Sequence, residues 1–452
     1  MPSTSPRVAI VGAGFSGVAL AHHLAHARRP PEVVLVERRP AFGPGLAYRT
    51  ADPLHLLNVP AGRMSALAGD PDHLLRWARA RDPAVHSGSF LPRGVYGAYL
   101  RELVDAAAAT GAVTCLSGQV VSVRSGPDGP ALALADGRTV AAARVVLAVG
   151  NFPPALPPSL PPALRTDPRY VADPWDSAFA PPPDAEILVL GTALTAVDLA
   201  LGLRGAGHRG TIHLLSRHGL LPHAHRPTPR APILRPPDTS SWPATTRGTL
   251  RAIRRAVAEH EAAGGDWRDV IADLRPITPS LWRRLPLEER DRFLRHLRTY
   301  WAIHRRRLPA EAADAIADMR ARGQLRVHAG RIEHLSLAPG RIALVVRPRG
   351  GGGPLHLAVD RLVNATGPAS DPRRTDDPLL HDLIDRGLLV PEPLGAAVAD
   401  DGALLDAAGR PSSWLFTLGT LRRPQLWETT AALEIAPQAE ALARRLVADL
   451  AV

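Results

Sequence analysis

The sequence predicts an α/β protein of two Rossmann-like dinucleotide-binding domains, the first interrupted by the second, with a helical insert. Three observations lead there. A strand–glycine–helix pattern opens the chain at Arg7, and it returns near Glu186. Two further apolar runs, Arg144 to Gly150 and Arg361 to Gly367, each end on glycine as the closing strand of such a unit does. The expected boundaries are 1–155 for the first segment of the first domain, 156–355 for the second domain with its insert at about 244–322, and 356–452 for the returning segment.

Residues 7–12, Arg-Val-Ala-Ile-Val-Gly, form a β-branched run of the kind buried on both faces of a parallel sheet. They lead into Gly12-Ala13-Gly14-Phe15-Ser16-Gly17 and then an alanine- and leucine-rich helical stretch. Gly12 suits the tight turn, Gly14 lets backbone approach a pyrophosphate, and Gly17 lets helix and strand pack closely. The helix N-terminus, with Ser16 in its first turn, offers unpaired N–H groups and a positive dipole end to phosphate. A second strand, Glu32 to Val36, runs into Glu37, twenty residues beyond Gly17 and placed to bind ribose hydroxyls. A lone glycine fingerprint says little in a chain with 38 glycines, but strand, helix and acid together specify a dinucleotide. FAD is expected there.

The second fingerprint, Gly191-Thr192-Ala193-Leu194-Thr195-Ala196, follows the apolar run Glu186 to Leu190. Gly191 and Thr195 are its candidate phosphate contacts. Ala193 replaces the middle glycine, so backbone approach is less open than in the first site. The next strand, Gly210 to Leu215, ends in Ser216-Arg217 rather than an acid. Arg217 lies 26 residues after Gly191, and Glu37 lies 25 after Gly12. An acid there would repel a 2′-phosphate, whereas serine and arginine offer it a hydrogen bond and a charge-assisted fork. NADPH is the expected second cofactor.

Composition excludes several alternatives. The net charge of +11 arises from arginine alone, because the chain has no lysine. Those arginines are scattered, which argues against a nucleic-acid partner. Lysine imine and lysine base chemistry are closed. Cys115 is the single cysteine, so a redox-active thiol pair within the chain is closed too. His22-His23, His223-x-His225 and His296 lack the spacing of a zinc site, and no metal is expected. No apolar run reaches membrane-spanning length, so the expectation is a cytoplasmic protein without a membrane partner. Within the insert, Leu250, Ile253 and Val257 share one face of an arginine-rich helix. From Glu288 to Arg306 the apolar residues Phe293, Leu294, Leu297, Tyr300, Trp301 and Ile303 alternate with basic ones, which reads as an amphipathic lid. Arg305-Arg306-Arg307 reads as a solvated face or as part of an anion pocket.

Several segments together carry a family likeness. Gly45-Leu46-Ala47-Tyr48, Leu56-Leu57-Asn58-Val59-Pro60-Ala61-Gly62-Arg63-Met64-Ser65, Pro92-Arg93-Gly94-Val95-Tyr96-Gly97, Leu215-Ser216-Arg217-His218-Gly219 and Leu426-Trp427-Glu428-Thr429-Thr430-Ala431 resemble a bacterial family of FAD/NAD(P)-binding flavoproteins. That family looks related to the flavin-containing and N-hydroxylating monooxygenases. The Phe-x-Gly-x-x-x-His signature of ketone-oxygenating relatives is not found.

Asn58 falls about twenty residues beyond Glu37, where the chain of such a domain crosses the flavin. A carboxamide there hydrogen-bonds the flavin edge without accepting its proton, or else satisfies loop backbone; both readings stand. Gly367, Gly419, Thr429 and Thr430 complete the candidate cofactor contacts, the last three preceding a helix whose N-terminus faces the flavin in domains of this type. The resemblance implies a monooxygenase that takes a small-molecule substrate and dioxygen, acting on a soft nucleophile through an oxygenated flavin. Two alternatives remain at this level: an NAD(P)H-dependent flavin reductase or oxidase, and a non-enzymatic nucleotide-binding protein, which only Ala193 favours.

Overall fold

The computed structural model describes residues 6–127, 129–175, 179–226 and 236–450. The β-branched run Arg7–Val11 is the centre of the first sheet. It pairs in parallel with Glu32–Glu37 on one side and Arg144–Leu147 on the other. Val113–Ser117 extends the sheet beyond Glu32–Glu37, and Pro411–Thr417 then Ala403–Leu405 extend it beyond Arg144–Leu147. The strand faces are covered by the helices Phe15–Ala25, Arg93–Ala109 and Ala432–Leu450 on one side. On the other lies the three-stranded sheet of residues 120–141 with the helix Pro378–Asp385. Burial on both faces is what the unbroken valine and leucine runs require.

The second sheet repeats the plan. Ile187–Leu190 lies between Ile212–Ser216 and Arg361–Asn364, all three parallel. Tyr170–Val171 pairs in parallel with Arg361–Asn364 at one edge, and the run Leu325–Leu337, Ile342–Pro348, Leu355–Val359 extends the other. This corrects one expected boundary. Leu355–Val359 and Arg361–Asn364 belong to the second sheet, so the chain returns to the first unit after Gly367 rather than at 356. Each closing strand stays beside its own fingerprint strand, a long-range pairing that a local pattern does not reveal.

Both fingerprints are held by the same contact. Gly12 has φ +105°, and a Cβ there would stand 2.4 Å from the Ala148 carbonyl oxygen. Gly191 has φ +126°, and its Cβ would stand 2.3 Å from the Ala365 carbonyl oxygen. The turn of each fingerprint therefore lies directly on the closing strand.

The insert is helical from Thr246–Ala262 through Ala310–Ala321, with Trp267–Asp273, Thr278–Arg284, Leu287–His296 and Arg298–Arg305 between them. Thr245 and Asp266 cap two of these helices, accepting from Gly248 N and Arg268 N. Thr246–Ala262 turns Leu250, Ile253 and Val257 toward a chamber that the other insert helices help to enclose. Among the described residues no helix is long and apolar enough to cross a membrane.

Gly191→Ala adds both a steric clash and backbone strain, and is expected to destabilise by about 2–4 kcal/mol. Gly367→Ala has φ +92° but nothing within 4 Å of its Cβ, leaving strain alone, about 1–2 kcal/mol. Thermal unfolding of the two variants measures the difference; equal midpoints would contradict the contact with Ala365.

Candidate nucleotide clefts and active site

The first cleft is built by the ends of the parallel strands. Glu37, buried at the end of its strand, accepts from Ala13 N at 2.8 Å and Arg39 N at 3.1 Å, which fixes its carboxylate at the cleft edge. Gly14 faces Gly45, where φ is +55° and a Cβ would stand 3.0 Å from Gly14 Cα. Gly150 and Gln119 border the same cleft. A side-chain-free slot at a helix N-terminus with an acid beside it fits the pyrophosphate and ribose of a dinucleotide.

Ser16 is buried beneath the C-terminal turn. Gly419, at φ +77°, comes so close that its Cβ would stand 2.9 Å from Ser16 Oγ. Gln438 holds this turn from the last helix: its Oε1 accepts from Gly419 N at 3.1 Å and its Nε2 donates to Thr429 Oγ1 at 2.8 Å. Thr429 Oγ1 in turn donates to the Gly419 carbonyl at 3.1 Å. Ser16, Gly419 and Thr429 are thus gathered in one place.

In the second cleft Ser216 is used differently from the sequence reading. Its Oγ accepts from Gly219 N at 3.0 Å and from Thr192 Oγ1 at 3.0 Å, tying the turn that follows the strand. Thr192 Oγ1 also lies 2.6 Å from the Leu220 carbonyl. Arg217 is left exposed at the strand end. It lies close enough to Arg298 to lower that guanidinium further, after burial and Arg306. Thr195 and Gly367 line a cleft between the two units together with Arg93 and Trp175. Arg93 Nη2 meets Asp198 at 2.8 Å, both side chains largely buried, and so links the helix Arg93–Ala109 to Leu194–Gly205.

The units also meet at Asn58. Its backbone carbonyl accepts from His225 Nε2 at 3.0 Å, while its carboxamide makes no hydrogen bond among the described residues. The recess there is lined by Asn58, Arg63, His225, Arg275, Arg305 and Arg307. Glu434, in the first turn of Ala432–Leu450, accepts from Arg275 Nε at 2.6 Å and Arg305 Nη2 at 2.9 Å. Those three side chains are only 10–12% exposed. Arg306 reaches Thr430 Oγ1 at 3.3 Å, and Trp301 Nε1 donates to the buried Glu428 at 2.7 Å. Burial alone would raise the Glu428 carboxyl, but Arg305 and Arg306 outweigh it and hold the group below its ordinary value. Trp427, with φ +57°, stacks on Trp282 at 5.1 Å.

Sequence reasoning singled out Asn58, Thr429 and Thr430 here but missed Arg275, Glu434 and the hydrogen bond from His225. Arg63 was quoted only as part of a motif, and Arg305 and Arg307 prove to line the recess rather than a solvated face. Among the described residues no group of histidine, cysteine and acidic side chains is arranged to hold a metal.

Burial, reinforced by Arg307, lowers His225 to about 4, so at neutral pH the ring is neutral and its Nε2–H donates to Asn58. The unfolded chain takes up this proton near pH 6.5, before the folded protein does. Stability from this group is therefore complete above that pH and is lost as pH falls toward 4, at up to about 1.4 kcal/mol per pH unit. His225→Gln should flatten the pH dependence of unfolding between pH 6.5 and 4 by about one proton, as read from denaturation midpoints. An unchanged slope would show that His225 does not titrate this way.

Residues 9–152 match a family model described as FAD-NAD(P)-binding. No curated protein matches the chain. Among solved structures, the reduced form of an ornithine hydroxylase from Pseudomonas aeruginosa aligns over 99% of this chain and 100% of its own, with 17% identity and a TM-score of 0.66. An ornithine N-hydroxylase from Kutzneria sp. 744, with reduced FAD, NADP⁺ and L-ornithine, aligns over 98% of this chain and 99% of its own, with 15% identity and a TM-score of 0.62. A cadaverine monooxygenase from Erwinia amylovora bound to FAD aligns over 99% of this chain and 95% of its own, with 15% identity and a TM-score of 0.65. From end to end, the chain has the two-unit α/β fold found in these N-hydroxylating flavoproteins.

Proposed function

We propose that the protein is an FAD-dependent, NADPH-consuming monooxygenase that places one atom of dioxygen on a small-molecule nucleophile. The observation that carries this reading is convergence: the C-terminal turn above Ser16, the Arg217 end of the second cleft and the recess at Asn58 are all bridged by the insert helix Arg298–Arg305 and the arginines that follow it. The likeness in fold to an ornithine N-hydroxylase holding reduced FAD and NADP⁺ supports it. Bound FAD would supply hydride acceptance from NADPH and the activation of dioxygen.

The chain's own residues then divide the remaining work. Gly12, Gly14, Ser16 and Gly17 admit the pyrophosphate, and Glu37 accepts from ribose hydroxyls. Gly191 and Thr195 do the same for the reductant's phosphates, with Gly367 leaving room opposite. Arg217, joined by Arg298, takes the 2′-phosphate. Gly419, Thr429 and Thr430 bring the N-terminus of Ala432–Leu450 toward the ring system, where its dipole favours negative charge. Asn58 donates its free carboxamide N–H toward the reacting centre, and His225 acts as a positioning residue through the Asn58 carbonyl. The insert excludes water. A reaction that consumes NADPH fits the cytoplasm.

Arg217→Ala should raise KM for NADPH about tenfold and leave that for NADH within twofold, the loss expected for one charge-assisted contact. Steady-state kinetics with both reductants decides it, and equal preference in the parent, unchanged in the variant, would exclude the 2′-phosphate role.

Asn58→Ala should keep NADPH-dependent flavin reduction nearly intact while diverting oxygen from product to hydrogen peroxide. The ratio of product to NADPH consumed measures this. Stoichiometric peroxide from the parent with every nucleophile offered would establish an oxidase instead.

A further inference from the structure

We propose that the substrate is an amphipathic organic acid, its anionic end held by the arginines of the Asn58 recess and its bulky apolar body held in an aromatic chamber of the helical insert. The proposal rests on the monooxygenase reading for what is done to the molecule, but not for how it is bound.

The chamber has a volume of about 730 Å³ and is walled by Leu250, Ile253, Val257, Trp267, Trp282 and Trp301 among others. It adjoins the recess. Ile271 lines both. Trp267 faces the chamber, while Arg268 and Arg307, which line the recess, lie 4.5 Å and 5.7 Å from its ring. One wall of the combined space is thus aromatic and the next is cationic.

The recess is short of negative charge. Arg63, Arg275, Arg305 and Arg307 line it, and Glu434 is the acid set among them. Asp269, also on its wall, is taken by Arg226 at 2.6 Å and faces His260 at 3.3 Å. Arg275 Nη2, Arg305 Nε and Arg307 Nε are buried and have no hydrogen-bond partner among the described residues. Buried guanidinium N–H groups without acceptors are costly, and an entering carboxylate or other oxyanion would relieve that cost while donating nothing in return. A cationic diamine would be repelled by the same groups. An apolar chamber of this size gains nothing from a small polar molecule, but it removes a large apolar body from water at roughly 25 cal/mol per Å².

Flavin-loaded protein provides the test, by titration calorimetry and tryptophan fluorescence with decanoate, naphthaleneacetate, decanol, decylamine and acetate. At least one of the two large acids should bind ten times more tightly than decanol and decylamine, and acetate should bind far more weakly. Arg307→Gln should cut the preference of acid over alcohol at least fivefold, and Ile253→Asp should cut the preference of large acid over acetate. Decylamine or decanol binding as tightly as the acids, or neither large acid binding, overturns the proposal. None of these measurements needs NADPH or oxygen. Acid binding with peroxide as the sole oxygen product would support the ligand class and count against the monooxygenase; coupled oxygenation of an amine with no acid binding would do the reverse.

Discussion

The salt bridge of Glu434 with Arg275 and Arg305 is the interaction on which the site depends. It joins the first turn of the helix that covers the first sheet to two helical regions of the insert carried by the second unit. A buried ion pair of this kind adds little net stability, since desolvation offsets most of its attraction. Its value lies in placement. Removing the acid would leave two guanidinium groups buried side by side, a loss of about 3–5 kcal/mol for a broken buried pair. The hydrogen bond from Trp301 to Glu428 and the stacking of Trp282 on Trp427 lie along the same seam. The insert is therefore fastened to the very turn that shapes the first cleft.

Each unit, taken alone, is a repeated solution to one packing problem. A fingerprint glycine in a left-handed conformation lies on the carbonyl of the closing strand, Gly12 on Ala148 and Gly191 on Ala365. The strand next to the fingerprint strand then ends on Glu37 in one unit and on Ser216-Arg217 in the other. The chemistry of the two clefts diverges at these ends while the scaffold beneath them does not.

The sheet centres and fingerprints were legible in the sequence because they depend on near neighbours: a β-branched run, a glycine, a helix start. The closing strand Arg361–Asn364 was legible as a strand but was assigned to the wrong unit, because its partner Ile187–Leu190 lies more than 170 residues away in the chain. Ser216 was read as a ligand from its place at a strand end, yet a hydroxyl there is close enough to Gly219 N to close its own turn. The recess was the least legible part. Arg63, Arg275, Arg305 and Glu434 come from distant segments, and no spacing rule relates them. The arginine triplet 305–307 did signal an anion pocket as one of two readings; Arg305 and Arg307 line the recess, while Arg306 is exposed.

Glu434 also sets an order of events. The ribosome delivers Arg275 and Arg305 long before the acid that joins them, so until then the two cations lack the partner they share in the folded protein. One helix thus covers a sheet, holds a turn and balances a charge together, which ties the docking of the insert to that of the first unit.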